Sequence, residues 1–252
     1  RFLLSQLFRA GLLPLSILPV RYRSYFVGQK IFAKRSLVQE SSDVFAVSPM
    51  PSERELQEYY SSVYWSWRGP KNLVTNRDVE QFNLINSYTD LAEGAMLNFG
   101  AGPGGVSYLF WAGGIDIVNI EPSGIESPIQ ERWHTLSSKE SFSGTVDVLV
   151  SSHSLEHVTD LDATIEWMFD SLADDGLIFI EVPNSGIPEN GGINGCIIVP
   201  HTYYFTLGFF ETLPFELMHL ETYKELGNGF HQIAKDGSGE VIRFVGRKNK
   251  CL

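Results

Sequence analysis

A glycine-rich turn between two apolar runs is the feature that most constrains the fold of this sequence. Residues 95–99 (AMLNF) lead directly into GAGPGG at 100–105, which is typical of a buried parallel strand that ends in a glycine turn and a helix start. The next apolar run, 115–120 (IDIVNI), ends at Glu121. An acid about 20 residues after the first glycine can accept hydrogen bonds from the hydroxyls of a bound ribose. The pattern therefore predicts a nucleoside-containing cofactor.

The spacing of the glycines leaves the identity of that cofactor open. Gly100-x-Gly102-x-x-Gly105 satisfies the dinucleotide fingerprint, whereas Gly100-x-Gly102-x-Gly104 satisfies the looser turn that binds S-adenosylmethionine. Motifs further along the chain are needed to choose between them.

Several downstream motifs occur together with a strand-like run at 147–151 (DVLVS). In chain order they are Leu155-Glu156-His157, Asp175-Gly176, Pro183-Asn184 and His201-x-x-x-Phe205-Thr206. This series resembles the class I S-adenosylmethionine-dependent methyltransferases, in the Leu-Glu-His subgroup that includes sugar and small-molecule O-methyltransferases. The resemblance covers roughly residues 45 to 247. The sequence departs from the family at Asn98, where an acid is usual.

The resemblance implies an α/β fold with a Rossmann-like, doubly wound, seven-stranded sheet that is mostly parallel and ends in an antiparallel strand pair. Two strand-like runs at 215–223 and 240–247, with no helical pattern between them, favour that terminal pair. Ser52 and Glu55 form a capping-box pattern ahead of an aromatic stretch. We therefore predict an N-terminal helical cap over residues 1–70 and a methyltransferase domain over 71–252.

The resemblance also implies which residues hold S-adenosylmethionine. They belong to the glycine turn, the ends of the neighbouring strands and the aromatic stretch: Tyr60, Tyr64, Asn98, Gly100, Ala101, Gly102, Gly104, Glu121, Pro122 and Ser152.

Three histidines are candidates for catalysis. His153, Glu156 and His157 have the i, i+3, i+4 spacing that places side chains on one face of a helix, which is predicted to begin beside the transferred methyl group. A hydroxyl acceptor would need a general base, and imidazoles titrate in the required range. We rank His153 first and His201 second. His157 is a further candidate whose alternative role is to stabilise the helix start.

The same residues read H-x-x-E-H, a spacing that also occurs in zinc proteases. Here the motif follows a buried strand and no third ligand is indicated, so that interpretation is set aside. Some methyltransferases of this type hold a divalent ion at this point. Because His153 stands where a carboxylate would bind a hard cation, a divalent metal is not favoured and no metal ligand is predicted.

The acceptor is predicted from the loop 183–200, which is long and rich in glycine and asparagine. Long loops at this end of the sheet usually contact substrate. Amides and aromatic rings suit a sugar or another small neutral acceptor better than a charged peptide. The residues involved would be Asn184, Asn190, Asn194, Tyr203 and Tyr204.

Two alternatives to a methyltransferase remain at this point. An NAD-dependent oxidoreductase is disfavoured because no tyrosine is followed by lysine four residues later. A non-catalytic nucleoside-binding module stays open because of Asn98.

Charge and cysteine content limit the partners. A net charge of −11 opposes binding of nucleic acid, and two cysteines indicate no disulfide framework, which fits a cytoplasmic location. Arg9, Pro14 and Pro19 interrupt the apolar front segment, so no transmembrane span is expected. Since the sequence begins at Arg1, we expect it to be part of a longer polypeptide. Sugar-modifying methyltransferases of the type it resembles are often fused to a glycosyltransferase domain, which is the partner domain we expect.

Overall fold

The computed structural model describes residues 35–60, 74–89, 91–123, 129, 131–186, 201–226 and 230–249. The α-helices are α1 (Glu53–Tyr59), α2 (Asn76–Asn86), α3 (Gly105–Ala112), α4 (Leu161–Asp170) and α5 (Leu207–Glu211). The strands are β1 (Ser36–Gln39), β2 (Val44–Ser48), β3 (Ala95–Phe99), β4 (Asp116–Ile120), β5 (Trp133–Leu136), β6 (Val146–Ser152), β7 (Leu172–Pro183), β8 (Tyr203–Phe205), β9 (Glu216–Leu226), β10 (Phe230–Ile233) and β11 (Val241–Arg247). No helix in the described ranges is long and apolar enough to cross a membrane.

The central sheet has the strand order β10-β9-β11-β7-β6-β3-β4-β5. Strands β3 to β7 pair in parallel, and β11 is antiparallel to both β7 and β9. The predicted α/β fold with its antiparallel edge is confirmed. The described part of the sheet has eight strands rather than seven because β10 adds to β9 at the edge. The order of the parallel strands reverses at β3, which is where open α/β sheets bind ligands.

Both faces of the central strands are apolar, which explains their continuous hydrophobic sequences. Leu97 and Leu149 belong to the core on one side of the sheet, together with residues of α4. Met96 and Val148 belong to the core on the other side, together with residues of α2 and α3. Side chains of adjacent residues point to opposite faces of a strand. Each central strand therefore packs against both cores, and this packing holds the carboxyl ends of the parallel strands at one edge of the sheet.

A second, three-stranded sheet has the order β1-β2-β8. It lies partly where the sequence predicts a helical cap, because residues 36–39 and 44–48 are strands. The helix predicted after Ser52 is present as α1, with both hydrogen bonds of the capping box to Glu55. Strand β2 pairs with β8 of the region 71–252, and this distant partner decides its conformation. The remainder of the predicted cap, 1–34 and 61–70, lies outside the described residues.

Candidate active site

The glycine turn connects β3 to α3. Gly100, Gly102 and Gly104 have φ values of 74°, 53° and 80°, a left-handed conformation that side chains with a Cβ rarely adopt. A Cβ on Gly100 would also lie 1.9 Å from the Oγ of Ser154. Glycine is therefore required at this position both by the backbone angle and by the close approach of the neighbouring turn.

Glu121 follows β4 and faces the glycine turn. Its Oε2 accepts a hydrogen bond from the backbone N of Gly102 at 2.6 Å, and its Oε1 accepts one from the N of Ser123 at 3.0 Å. The side chain is nearly buried, at 7% exposure, yet it borders the cavity described below. The carboxylate thus shapes the turn and also faces the space where a ribose is expected.

Asn98 is buried within β3 and lies in a short chain of hydrogen bonds. Its Nδ2 donates to Ser107 Oγ at 2.8 Å, and that hydroxyl donates to Asn119 Oδ1 at 2.7 Å. A neutral amide therefore joins β3, α3 and β4 beneath the turn.

A cavity of about 1230 Å³ lies over the carboxyl ends of the central strands. Most of the residues predicted to hold the cofactor line it: Tyr60, Asn98, Gly100, Ala101, Gly102, Glu121, Pro122 and Ser152. Gly104 is outside the lining and forms the N-cap of α3. Tyr64 lies outside the described residues. The structure thus brings the predicted cofactor residues together at one edge of the sheet.

The segment after β6 differs from the predicted helix. His153 has φ 50° and ends the strand in a turn. Residues Leu155–His157 form a single turn of 3-10 helix, and α4 begins only at Leu161. The prediction that a helix face carries the three polar side chains is wrong. They still lie close together, because His153 Nδ1 is 3.3 Å from Glu156 Oε1 and His157 Nε2 is 3.8 Å from the same oxygen.

Both His153 and His157 line the cavity. The second ring nitrogen of His153, Nε2, lies 3.6 Å from Glu181 Oε1. Burial lowers the pKa of His153, but the interactions with Glu156 and Glu181 outweigh it and place this pKa above the ordinary value of 6.5. The two carboxylates therefore stabilise the protonated form of His153.

Glu181, on β7, is a site residue that the sequence analysis missed. It is fully buried, and Arg243 of β11 reaches its Oε2 through Nε and Nη2, both at 2.9 Å. Gln81 of α2 donates to its Oε1 at 2.9 Å. Burial raises the pKa of Glu181, but Arg243, His153 and Arg77 outweigh it, so the carboxylate is the stable form. The sequence does contain a signal for this pair: one acid and one base each interrupt an otherwise apolar run, Glu181 in IFIEVP and Arg243 in VIRFVG.

His201 lies behind His157, with ring centroids 4.8 Å apart, and is not part of the cavity lining. The next residue anchors it, because Thr202 donates from N and Oγ1 to the carbonyl oxygen of Glu156 at 2.8 and 3.0 Å. Burial and repulsion by His157 lower the pKa of His201 to about 3, so its imidazole is neutral near pH 7.

Glu156 is 1% exposed and is surrounded by these imidazoles. Burial raises its pKa, but His157 and His153 outweigh that effect and lower the pKa to about 2. Glu156, His157 and His201 each offer one ligand atom within 4.8 Å of the others. These three atoms are close enough together to bind one metal ion, but His153, outside the set, already pairs with Glu156.

Comparison with known proteins decides the family. Residues 74–220, more than half of the chain, match a family model described as "Methyltransferase domain". The chain belongs to this methyltransferase family. No curated protein matches the sequence.

Solved structures share the fold of this methyltransferase. The Burkholderia thailandensis 1,6-didemethyltoxoflavin-N1-methyltransferase, solved with 1,6-didemethyltoxoflavin and S-adenosylhomocysteine, is 14% identical with a TM-score of 0.55, over 85% of this chain and 100% of its own. A possible histamine N-methyltransferase from Thermotoga maritima is 14% identical with a TM-score of 0.50, over 69% of this chain and 89% of its own.

Family and fold together establish an S-adenosylmethionine-dependent methyltransferase. The cofactor is S-adenosylmethionine rather than a nicotinamide dinucleotide, and the alternatives of an oxidoreductase and of a non-catalytic module are set aside.

Proposed function

We propose that this methyltransferase transfers a methyl group to a hydroxyl of a small neutral acceptor, with a sugar as the candidate class. The observation that carries the proposal is an imidazole on the cavity wall, that of His157, backed by the buried carboxylate of Glu156. A hydroxyl must lose its proton when it attacks the methyl group, whereas a neutral amine attacks through a free electron pair. A positioned base therefore has a use in O-methylation that it lacks in the first step of N-methylation.

His157 is the better placed base of the three predicted histidines. Both ring nitrogens of His153 already face carboxylates. His201 is separated from the cavity, and its low pKa makes it a weak base. When His157 accepts a proton, the positive charge forms 3.8 Å from Glu156, where low solvent exposure strengthens the attraction.

The size and lining of the cavity support a small acceptor. Single-ligand pockets commonly measure about 300–1,000 Å³, so 1230 Å³ gives room for the cofactor and a second molecule. Asn76 contributes an amide to the wall, whereas the hydroxyl of Thr75 is already hydrogen-bonded to Asp78 in the capping box of α2. Asn184 does not support the sugar class, because its Nδ2 donates to the carbonyl oxygens of Gly237 and Gly239 at 3.1 and 2.9 Å.

The case for a sugar therefore depends on the composition of the loop at 187–200, where Asn190 and Asn194 lie outside the described residues. We also propose a cytoplasmic location and a glycosyltransferase as the associated domain, since such a domain would supply a sugar-containing acceptor.

The test offers matched acceptors to the full chain with methyl-labelled S-adenosylmethionine. Neutral glycosides and their amino-sugar counterparts are compared by mass spectrometry, with S-adenosylhomocysteine formation measured in parallel. We expect one methyl group on a hydroxyl of the neutral glycoside. Methylation confined to the amine would contradict the proposal.

A base at His157 predicts a specific mutant phenotype. His157→Ala should lower kcat by about 10²–10⁴-fold, with little change in S-adenosylhomocysteine affinity. His134→Ala, at an exposed position on β5, is the matched control. Retention of full activity in His157→Ala would exclude this residue as the base.

A further inference from the structure

His153 occupies an unusual position between two buried acids. Its Nδ1 is 3.3 Å from Glu156 Oε1, and its Nε2 is 3.6 Å from Glu181 Oε1. Its backbone N donates to the carbonyl oxygen of Glu181 at 2.7 Å. With φ at 50° the backbone is in the left-handed region, which costs free energy and persists where the surroundings enforce it. The ring therefore lies between the two acids.

The two acids differ in the charges that compensate them. Glu181 is paired with Arg243 at 2.9 Å, and Arg77 is 3.8 Å from its other oxygen. No lysine or arginine nitrogen of the described residues lies within 4.0 Å of Glu156, whose ion pairs there are with His153 and His157. An uncompensated carboxylate is costly in a buried site. The charge of Glu156 thus needs a protonated imidazole.

We propose that His153 is a positioning residue, a fixed cation that joins Glu156 to the Glu181–Arg243 pair and keeps Glu156 ionised beside the base His157. Only the role of His157 as the base rests on the proposed function. His153 keeps its proton through the reaction, and Glu156 remains free to stabilise the charge that forms on His157.

Charged and titratable neighbours on several elements act on His153, among them His201, which is neutral near pH 7. Glu156 and Glu181 favour its charged form, whereas Arg77 on α2 and burial oppose it. Gln81 and Ser152, also close to Glu181 Oε1, are neutral. Since two carboxylates contact the ring directly, attraction exceeds the opposing effects.

The protonation state can be measured without any acceptor. The protein has six histidines, and NMR titration of the chain labelled with ¹³C and ¹⁵N in histidine identifies the His153 signal as the one that His153→Asn removes. Asparagine is chosen because it tolerates φ > 0. We expect an imidazolium at pH 7, and a downward shift of the His153 pKa in both Glu156→Gln and Glu181→Gln.

Glu221→Gln is the matched control. This acid contacts Arg243 at 3.3 Å from β9 and has no direct contact with His153 among the described residues, so the His153 pKa should stay near its wild-type value. A neutral His153 at pH 7 in the wild-type protein would overturn the proposal. Because that spectrum needs only the wild-type chain and its assignment variant, misfolding of the glutamine variants does not leave the question open.

Kinetics separate this role from that of a base. His153→Asn should lower kcat by about tenfold. This loss is smaller than the loss of about 10²–10⁴-fold that is expected when a general base is removed. It should also change the pH dependence of kcat, because Glu156 loses one of its two imidazole partners. An unchanged pH profile, or a loss as large as in His157→Ala, contradicts the positioning role. The NMR result on the protonation of His153 does not depend on whether the acceptor is a hydroxyl. Failure of the proposed function would be seen in the comparison of acceptors by mass spectrometry, and not in the NMR titration.

Discussion

Replacement of Glu121 by alanine tests how the cofactor is held. In the structure its two carboxylate oxygens accept hydrogen bonds from the N of Gly102 and of Ser123, and the same group faces the cavity. Hydrogen bonds to a charged group contribute about 1.5–3 kcal/mol, and about 1.4 kcal/mol corresponds to a factor of ten in affinity. We therefore expect Glu121→Ala to weaken binding of S-adenosylhomocysteine by about 10- to 150-fold.

Isothermal titration calorimetry measures this loss directly, and a thermal melt without ligand shows whether the fold is intact. Glu121→Gln keeps the size and one acceptor oxygen, so it should lose less affinity than the alanine variant. Glu140→Ala removes another acid from the cavity wall and controls for a general effect of negative charge. Unchanged affinity in Glu121→Ala, with a normal melt, would refute the assignment of this residue to the ribose.

Three further outcomes are expected. Gly100→Ala should lower the free energy of unfolding by about 1–3 kcal/mol in urea denaturation, because its Cβ would clash with Ser154 at a φ of 74°; wild-type stability would contradict this geometry. The melting temperature should fall as the pH is lowered from 6.5 to 4, because His201 becomes protonated near pH 6.5 in the unfolded chain but only near pH 3 in the folded chain. His201→Phe should reduce this dependence on pH. A wild-type melting temperature that stays constant over this range would contradict the low pKa of His201. Chelation should leave turnover unchanged, since His153 already pairs with Glu156; a loss restored by a divalent ion would show that a metal takes part.

The parts of the site that could be predicted are those with a local signal. Residues 95–105 combine an apolar run with glycines whose left-handed angles the turn requires, and Glu121 follows at the end of the next strand. These features depend on neighbours within one strand–turn–helix–strand unit. Sequence spacing is sufficient for them.

The remaining parts depend on partners far apart in the chain. Glu181 faces Arg243 because β7 and β11 pair in a register that places these two residues opposite each other, and no local pattern fixes that register. Strand β2 was missed because its partner is β8. The spacing of His153, Glu156 and His157 suits a tight turn as well as a helix, so proximity could be predicted but not the backbone that produces it.

The attachment of β8 also has a consequence for the order of folding. Its partner residues Val44 and Phe205 are separated by most of the described chain, and closing so long a loop costs entropy that is recovered only once both segments have a surface to join. Thr202, directly before β8, holds the carbonyl oxygens of Glu156 and Val158. The central sheet should therefore form first during refolding, and the turn that carries His157 should become ordered only when β2 and β8 meet. Regain of activity would then lag behind regain of secondary structure. A fragment limited to residues 74–220 lacks β2, so β8 would lose its antiparallel partner there.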